Sequence, residues 1–278
     1  MKTRLAAALA FLIAPGAFAD AGAPEIGFHT GFEYASGDYG LDEDTTTTRI
    51  PLGLSADFGR LLVYAELPFV TVEGPAGSVA SGSAIAGGAA ATRPRLAEWL
   101  NGAGETSFDA SGIGDASVYA SLRLSPDASK SRISAFAGLT LPTGDEEKGL
   151  GSGATDTYLG LSADRRFDRF SLFSSAGYVF AGSTDAGSSL VEVSDRDDYA
   201  FASFGAGLLV GEASSINLSC SWTQSAYSDL DDLVDIRLDV SRLMSDRVSL
   251  GGYVSTTLQG DGEDIGAGLS LSFYPAGD

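Results

Sequence analysis

Ionisable side chains fall on alternate positions of several segments that are otherwise rich in glycine, serine and threonine. Acidic and basic residues on neighbouring strands can pair across a sheet, at roughly 0.2–1 kcal/mol per pair, or they can set the electric field inside an enclosed passage. Cross-strand pairing is the favoured interpretation, although alternation alone does not separate the two. The candidates are Glu33, Arg49, Glu66, Asp115, Arg123, Asp164, Arg166, Asp235, Arg237 and Asp239.

The chain offers little for enzymatic or metal chemistry. It has a single histidine, His29, and a single cysteine, Cys220, so it lacks the ligands of a zinc cluster. A serine hydrolase needs a histidine beside its nucleophile, and nothing in the sequence places a serine and a carboxylate around His29. Phosphate-cradling glycine motifs in a strand-to-helix setting do not occur. We therefore expect no enzymatic activity, no catalytic residues, no metal and no cofactor.

Clusters of acidic residues lie in predicted loops at 42–44, 145–147, 195–198 and 229–232. Carboxylates at this density are typical ligands of divalent cations, including those that bridge lipopolysaccharide phosphates. None of the clusters has the spacing of an EF-hand loop, so solvated surface charge is the favoured interpretation. The net charge of −20 also argues against nucleic acid as a partner.

Hydrophobicity alternates with a period of two along most of the chain. Between 112 and 124, Val118, Ala120 and Leu122 alternate with polar residues, and Ile236, Leu238 and Val240 do the same near the other end. A strand places successive side chains on opposite faces, so each segment is predicted to be a strand with one apolar and one polar face.

About twelve such strands of roughly ten residues can be placed, an even number of a length that spans a membrane when tilted. Short connections alternate with longer ones along the chain, as expected for an outer-membrane barrel with short turns at one end and longer loops at the other. A soluble sandwich would need large aliphatic side chains on its inner faces, but here the polar faces carry glycine, serine, threonine and aspartate. The predicted fold is all-β, a transmembrane antiparallel β-barrel with short periplasmic turns and longer extracellular loops.

The first residues read as an export signal. Lys2 and Arg4 precede an apolar stretch that ends at Ala17-Phe18-Ala19, which is the pattern of a secretory signal peptide. The expected domains are a signal peptide over 1–19 and the barrel over 20–278. A long loop at 74–111, rich in glycine and alanine, is expected either to fold inward as a constriction or plug or to remain a mobile outer loop.

Three motifs carry a family resemblance: GIGD at 112–115, LPTGD at 141–145 and GLGSGATD at 149–156. With the segment IPLGLSADFGRLLVYAELPF at 50–69, they resemble a family of outer-membrane β-barrel transporters described as phenol-degradation meta-pathway proteins. The likeness is sharp over about residues 47–182. It implies a barrel of the bacterial outer membrane that passes small, hydrophobic or aromatic molecules.

The expected function is therefore an outer-membrane channel for passive passage of small solutes. The alternative is a structural or surface-interaction barrel with a filled lumen, whose acidic outer loops meet partners. Expected partners are outer-membrane lipids, lipopolysaccharide, the barrel assembly machinery and a small solute that the sequence does not identify.

Overall fold

The computed structural model describes residues 23–39, 42–74, 108–126, 129–182, 196–226 and 230–275. The predicted signal peptide at 1–19 and nearly all of the predicted loop at 74–111 lie outside these residues. No helix among the described residues is long and apolar enough to cross a membrane. Within the described residues, the regular elements apart from a short 3-10 helix at Glu146–Lys148 are thirteen strands: β1 Glu25–Gly37, β2 Thr45–Asp57, β3 Leu61–Gly74, β4 Phe108–Ile113, β5 Ala116–Arg123, β6 Ser131–Leu141, β7 Asp156–Phe167, β8 Phe170–Phe180, β9 Tyr199–Val210, β10 Ser214–Thr223, β11 Leu233–Ser245, β12 Val248–Gln259 and β13 Ile265–Phe273.

The strands form one closed antiparallel barrel. Except for β4 and β5, which do not pair with each other, strands that are consecutive in sequence pair, and β1 pairs with β13 to close the ring. β4 and β5 both pair with β3, one above the other, so together they fill a single position in the wall. The barrel therefore has twelve strand positions, which confirms the predicted fold.

The connections differ between the two ends of the barrel. At one end most turns have two or three residues, at 58–60, 168–169, 211–213 and 246–247. The connections at the other end are longer, among them 38–44, 142–155, 181–198 and 224–232. In an outer-membrane barrel these ends are periplasmic and extracellular respectively, and the two ends are named accordingly below.

The alternation in sequence becomes an apolar outside and a more polar inside. Outward-facing apolar side chains are exposed to a degree that water would penalise: Leu52 is 58% exposed, Phe204 58% and Leu269 70%. Each exposed Leu or Phe would cost about 1.5–3 kcal/mol relative to burial, a cost that lipid removes. The outer surface is thus suited to a bilayer.

One wall position contains a break that the sequence analysis did not predict. A single strand was expected from Gly112 onward, whereas β4 ends at Ile113 and β5 begins at Ala116. Pro68 on the adjacent β3 has no N–H to donate, and proline inside a sheet is tolerated at a bulge. Gly114 donates its N–H to the Pro68 carbonyl at 2.9 Å, and the register shifts by one residue at this point. The expected loop boundaries also move, since β3 extends to Gly74 and β4 already begins at Phe108.

Candidate functional site in the lumen

Arg49 organises one cluster of charge on the inner face. Its Nη1 donates to Glu33 at 2.8 Å, its Nη2 pairs with Glu66, and the Tyr64 hydroxyl donates to Glu66 at 2.7 Å. β1, β2 and β3 are adjacent, and Glu33 lies directly opposite Arg49 in the register. Arg49 and Glu66 are both buried. One guanidinium therefore joins three strands, and the cluster carries a net charge of −1.

A second inner-face cluster lies on β11 and β12. The guanidinium of Arg237 sits 3.5 Å from the ring centroid of Tyr253 and donates to Asp239 at 2.9 Å. Asp235, nearer the extracellular end, accepts a hydrogen bond from Thr257 at 2.7 Å. The side chains of Arg237 and Asp239 are 34% and 31% exposed, so water and these protein contacts together stabilise their charge.

The two clusters form one continuous polar surface. Glu33 lies opposite Gly268 on β13, and Gly268 lies opposite Tyr253 on β12. Above them Glu263, in the 260–264 loop, accepts a hydrogen bond from Ser255. Burial, followed by the nearby charge of Asp235, raises the pKa of the Glu263 carboxyl above its usual range.

The remaining predicted residues lie apart from this surface. Arg123 donates to the Gly59 carbonyl at 2.8 Å in a periplasmic turn, and Asp164 lies 3.9 Å from Arg132 in a solvent-exposed pair. Arg166 is exposed near the periplasmic end of β7, and Asp115 binds a loop. The structure thus brings together Glu33, Arg49 and Glu66, and separately Asp235, Arg237 and Asp239. A part for any of them in solute passage remains a prediction.

Aromatic rings cover the inner face on the other side of the barrel. Phe136 lies 6.2 Å from Phe201 and 6.0 Å from Tyr119, measured between ring centroids. Tyr158, Val179 and Tyr199 complete the packed group. We call this group the aromatic wall. Sequence alternation places Tyr119 and Phe136 on the inner face, but their meeting depends on strand register and was not predicted.

Inner-face glycines provide the space that these rings occupy. A Cβ added to Gly160 would collide with the Phe136 ring, one at Gly177 with the Phe201 ring, and one at Gly138 with the Tyr158 ring. In each case the glycine sits on a neighbouring strand, directly opposite or nearly so. The rings can therefore lie flat on the wall instead of pointing across the lumen.

Asp115 holds an extracellular loop against the inner wall. Its carboxylate accepts hydrogen bonds from the Gly144 N–H at 3.0 Å, the Ser152 N–H at 2.7 Å and the Ser152 hydroxyl at 2.9 Å. Leu150 from the same loop packs on Val70 and Val72, which face inward from β3. β6 ends at Leu141, the first residue of the LPTGD motif, and the loop begins at Pro142. The docking of the 142–155 loop was not predicted, although GIGD, LPTGD and GLGSG supply the residues that make it.

His29 has two side-chain hydrogen-bond partners. Its Nδ1 lies 2.9 Å from the Ser272 hydroxyl and its Nε2 lies 2.8 Å from the Ser55 hydroxyl. Two serines thus flank the ring, and their positions depend on strand pairing that the sequence analysis did not predict. Because hydroxyls occupy both ring nitrogens, none of the described carboxylates orients the imidazole as in a hydrolase triad.

The described carboxylates of the extracellular loops do not converge on a point. Within the described part of the chain, no set of three or more histidine, cysteine, aspartate or glutamate side chains could hold a metal ion. Lys148 pairs with Asp145 at 2.8 Å, and Asp232 accepts from the Trp222 indole N–H and the Ser225 N–H. These carboxylates have local partners within the protein.

A sequence profile of the family described as "Putative MetA-pathway of phenol degradation" matches residues 38–273. No curated protein matches the chain. Among solved structures, a COG4313 outer membrane channel from Pseudomonas putida F1 is similar, with a TM-score of 0.65 and 15% identity, over 94% of this chain and 99% of that one. A KdgM porin is also similar, with a TM-score of 0.53 and 7% identity, over 89% of this chain and 99% of that one. At these identities the likeness concerns the fold, an outer-membrane barrel.

Proposed function

The chain belongs to the family described as "Putative MetA-pathway of phenol degradation", and we propose that it is an outer-membrane channel for passive passage of small solutes. The single observation that carries this proposal is the contrast between the two faces of the barrel. The outside is apolar, whereas the inside combines buried ionic clusters with glycine and serine. Twelve strand positions also enclose a wider interior than those of an eight-stranded barrel, which side chains fill.

We further propose that the solutes are hydrophobic or aromatic compounds. The support is the aromatic wall, in which the Tyr119 and Phe136 rings lie 6.0 Å apart on the inner side of the barrel. Aromatic pairs contribute about 0.5–1.5 kcal/mol beyond area burial, so contacts of this kind attract a solute weakly enough to release it. Passage down a gradient requires such weak and reversible contacts.

Planar-bilayer recording tests the channel directly. Purified, detergent-refolded protein should insert and give stepwise conductance, and boiled protein should give none. The 142–155 loop, which is folded onto the inner wall, supports the competing possibility of a filled structural barrel. A protein that shifts on unboiled gels, and is therefore folded, yet remains electrically silent would support that alternative and contradict the channel.

We propose lipopolysaccharide and the barrel assembly machinery as the remaining partners. The acidic extracellular loops favour contact with lipopolysaccharide through divalent cations, because both surfaces carry negative charge. Depleting calcium and magnesium from lipopolysaccharide-containing membranes should weaken co-purification if this bridging occurs. Depletion of the assembly machinery in cells should leave the chain protease-sensitive and unfolded.

A further inference from the structure

Charged side chains face outward at four positions of the described strands, on a surface that is otherwise uncharged. Counted by the alternation along each strand, they are Glu73, Asp109, Arg165 and Arg242. Glu73 on β3 and Asp109 on β4 lie directly opposite each other at the extracellular end. Arg165 on β7 and Arg242 on β11 lie near the periplasmic end. The outward charge is therefore sorted by sign between the two ends of the barrel.

Arg165 and Arg242 lie within the apolar outer surface, close to its periplasmic edge. Exposed apolar side chains continue beyond both arginines towards the periplasm, with Phe167 46% and Met244 57% exposed. A charged side chain facing lipid is costly at the middle of a bilayer and is tolerated near the headgroups. Within the described part of the chain, neither arginine makes an ion pair. Each guanidinium therefore reaches the headgroup layer without a counterion from these residues.

The same kinds of side chain flank both arginines on the adjacent strands. Directly opposite Arg165 lie Ser131 on β6 and Leu172 on β8. Directly opposite Arg242 lie Ser214 on β10 and Leu250 on β12. Directly opposed side chains on one face of a sheet have Cβ atoms about 4.5–5.5 Å apart, so the serine hydroxyl and the guanidinium can reach one phosphate group. The leucines are 43% and 44% exposed and offer the apolar contact that a lipid tail requires.

A second arginine follows in the turn that adjoins each of these sites. The β7–β8 turn is Asp168-Arg169 and the β11–β12 turn is Asp246-Arg247, with all four residues exposed. On its outward and turn positions, each hairpin therefore carries two arginines against one aspartate. Neighbouring turns add Lys130 beside the first site and Glu212 beside the second, so the first site should bind an anion more tightly.

We propose that the β7–β8 and β11–β12 hairpins each bind the headgroup of one anionic phospholipid from the periplasmic leaflet. Arg165 and Arg242 donate paired N–H groups to the phosphodiester, whose geometry a planar guanidinium matches. The hydroxyl of Ser131 or Ser214 donates a further hydrogen bond. A phosphatidylglycerol headgroup has one negative charge to meet the surplus arginine, whereas phosphatidylethanolamine adds an ammonium group that the arginines repel. These sites depend only on the outer-membrane location of the barrel and not on the channel function.

The test is native mass spectrometry of the purified barrel, titrated with phosphatidylglycerol, phosphatidylethanolamine or glycerol phosphate. An arginine beside an anionic headgroup contributes about fivefold in affinity. At a lipid concentration that half-fills both sites, the wild type should carry on average about one phosphatidylglycerol, R165Q or R242Q about two thirds, and the double variant R165Q/R242Q about one third. Phosphatidylethanolamine should bind more weakly than phosphatidylglycerol, and glycerol phosphate should not be retained.

Arg166→Gln is the matched control, because Arg166 is the next residue of β7 and faces the lumen. It should leave the average at about one phosphatidylglycerol. S131A and S214A keep the charge and remove the hydroxyl, so they test the same sites if an arginine variant does not fold, and each should lower the average. Unboiled gels show which variants are folded.

An unchanged average in R165Q/R242Q, or an equal reduction in R166Q and R165Q, would overturn the two sites. Equal binding of phosphatidylethanolamine would overturn the selection of an anionic headgroup. Retention of glycerol phosphate as strong as that of the lipid would assign the sites to a free phosphate and overturn a lipid as the ligand.

Discussion

Replacing Arg49 by methionine should destabilise the barrel by about 3 kcal/mol. Removing one partner of a buried ion pair typically costs about 3–5 kcal/mol, because a buried charge loses its counterion. Here the lower end applies. The side chain of Glu33 is 25% exposed and partly hydrated, while that of Glu66 is 3% exposed and keeps its hydrogen bond from Tyr64.

The assay is equilibrium unfolding in urea, with the fraction folded read from the mobility difference between boiled and unboiled samples. Arg132→Met is the matched control, because Arg132 and Asp164 are 3.9 Å apart and 61% and 46% exposed. Such a surface pair contributes about 0–1 kcal/mol. The double variant R49M/E66Q should recover much of the loss, since it removes the most buried uncompensated carboxylate. If R49M costs no more than R132M, the cluster is hydrated in solution and the reasoning is wrong.

Three further results are expected. Asp115→Ala should release the 142–155 loop, so trypsin should cut after Lys148 faster than in the wild type. Asp109→Ala is the control and should not change the cleavage rate. Equal cleavage rates in Asp115→Ala and the wild type would show that Asp115 does not hold the loop. Gly177→Val should lower the free energy of unfolding in urea by about 1–3 kcal/mol, because the new side chain displaces the Phe201 ring. Ala176→Val on the lipid side should be nearly neutral. Similar losses in the two variants would show that Gly177 is not needed to make room for the Phe201 ring. Burial raises the pKa of the Glu263 carboxyl above its ordinary 4.5, in an environment that also includes Ser255, Asp235, Arg237 and Glu33. The carboxyl therefore keeps its proton to a higher pH in the folded chain than in the unfolded chain. Its contribution to the free energy of unfolding is complete below pH 4.5 and is lost as pH rises through the higher folded pKa. E263Q should make the free energy of unfolding depend less on pH over that range. An unchanged dependence on pH would exclude Glu263 as the cause.

Strand alternation was sufficient to predict the barrel, because the two faces of each strand meet different surroundings. On β11, Ile236 and Leu238 face outward while Asp235 and Arg237 face inward, between β10 on one side and β12 on the other. The alternation within β11 predicts these faces without any knowledge of which strands lie beside it. The alternating lengths of the connections supplied independent support. Local patterns therefore determine the face on which a residue lies.

Contacts between strands could not be predicted from the alternation, because they depend on register. The pairing of Arg49 with Glu33 and Glu66 needs three strands aligned, and the Phe136–Phe201 contact crosses β7 and β8 between them. The break at Gly114 could in principle have been predicted from the sequence, since Pro68 has no N–H to donate to the next strand and marks a bulge within a sheet. The loop held by Asp115 was not, because its three donors are backbone and hydroxyl groups that no spacing singles out.

The glycine content follows from how a barrel of this size must build its inner surface. A water-soluble sheet buries its inner face against a second layer, so large side chains interdigitate there. In this barrel a large inner side chain has no second layer to meet, and its ring would point across the lumen. Pairing each ring with a glycine on the neighbouring strand, as Tyr253 with Gly268 and Tyr64 with Gly53, lets the ring lie along the wall instead. The same pairing occurs between Phe136 and Gly160 and between Phe201 and Gly177 in the aromatic wall, so glycines let rings pack along the wall around the barrel.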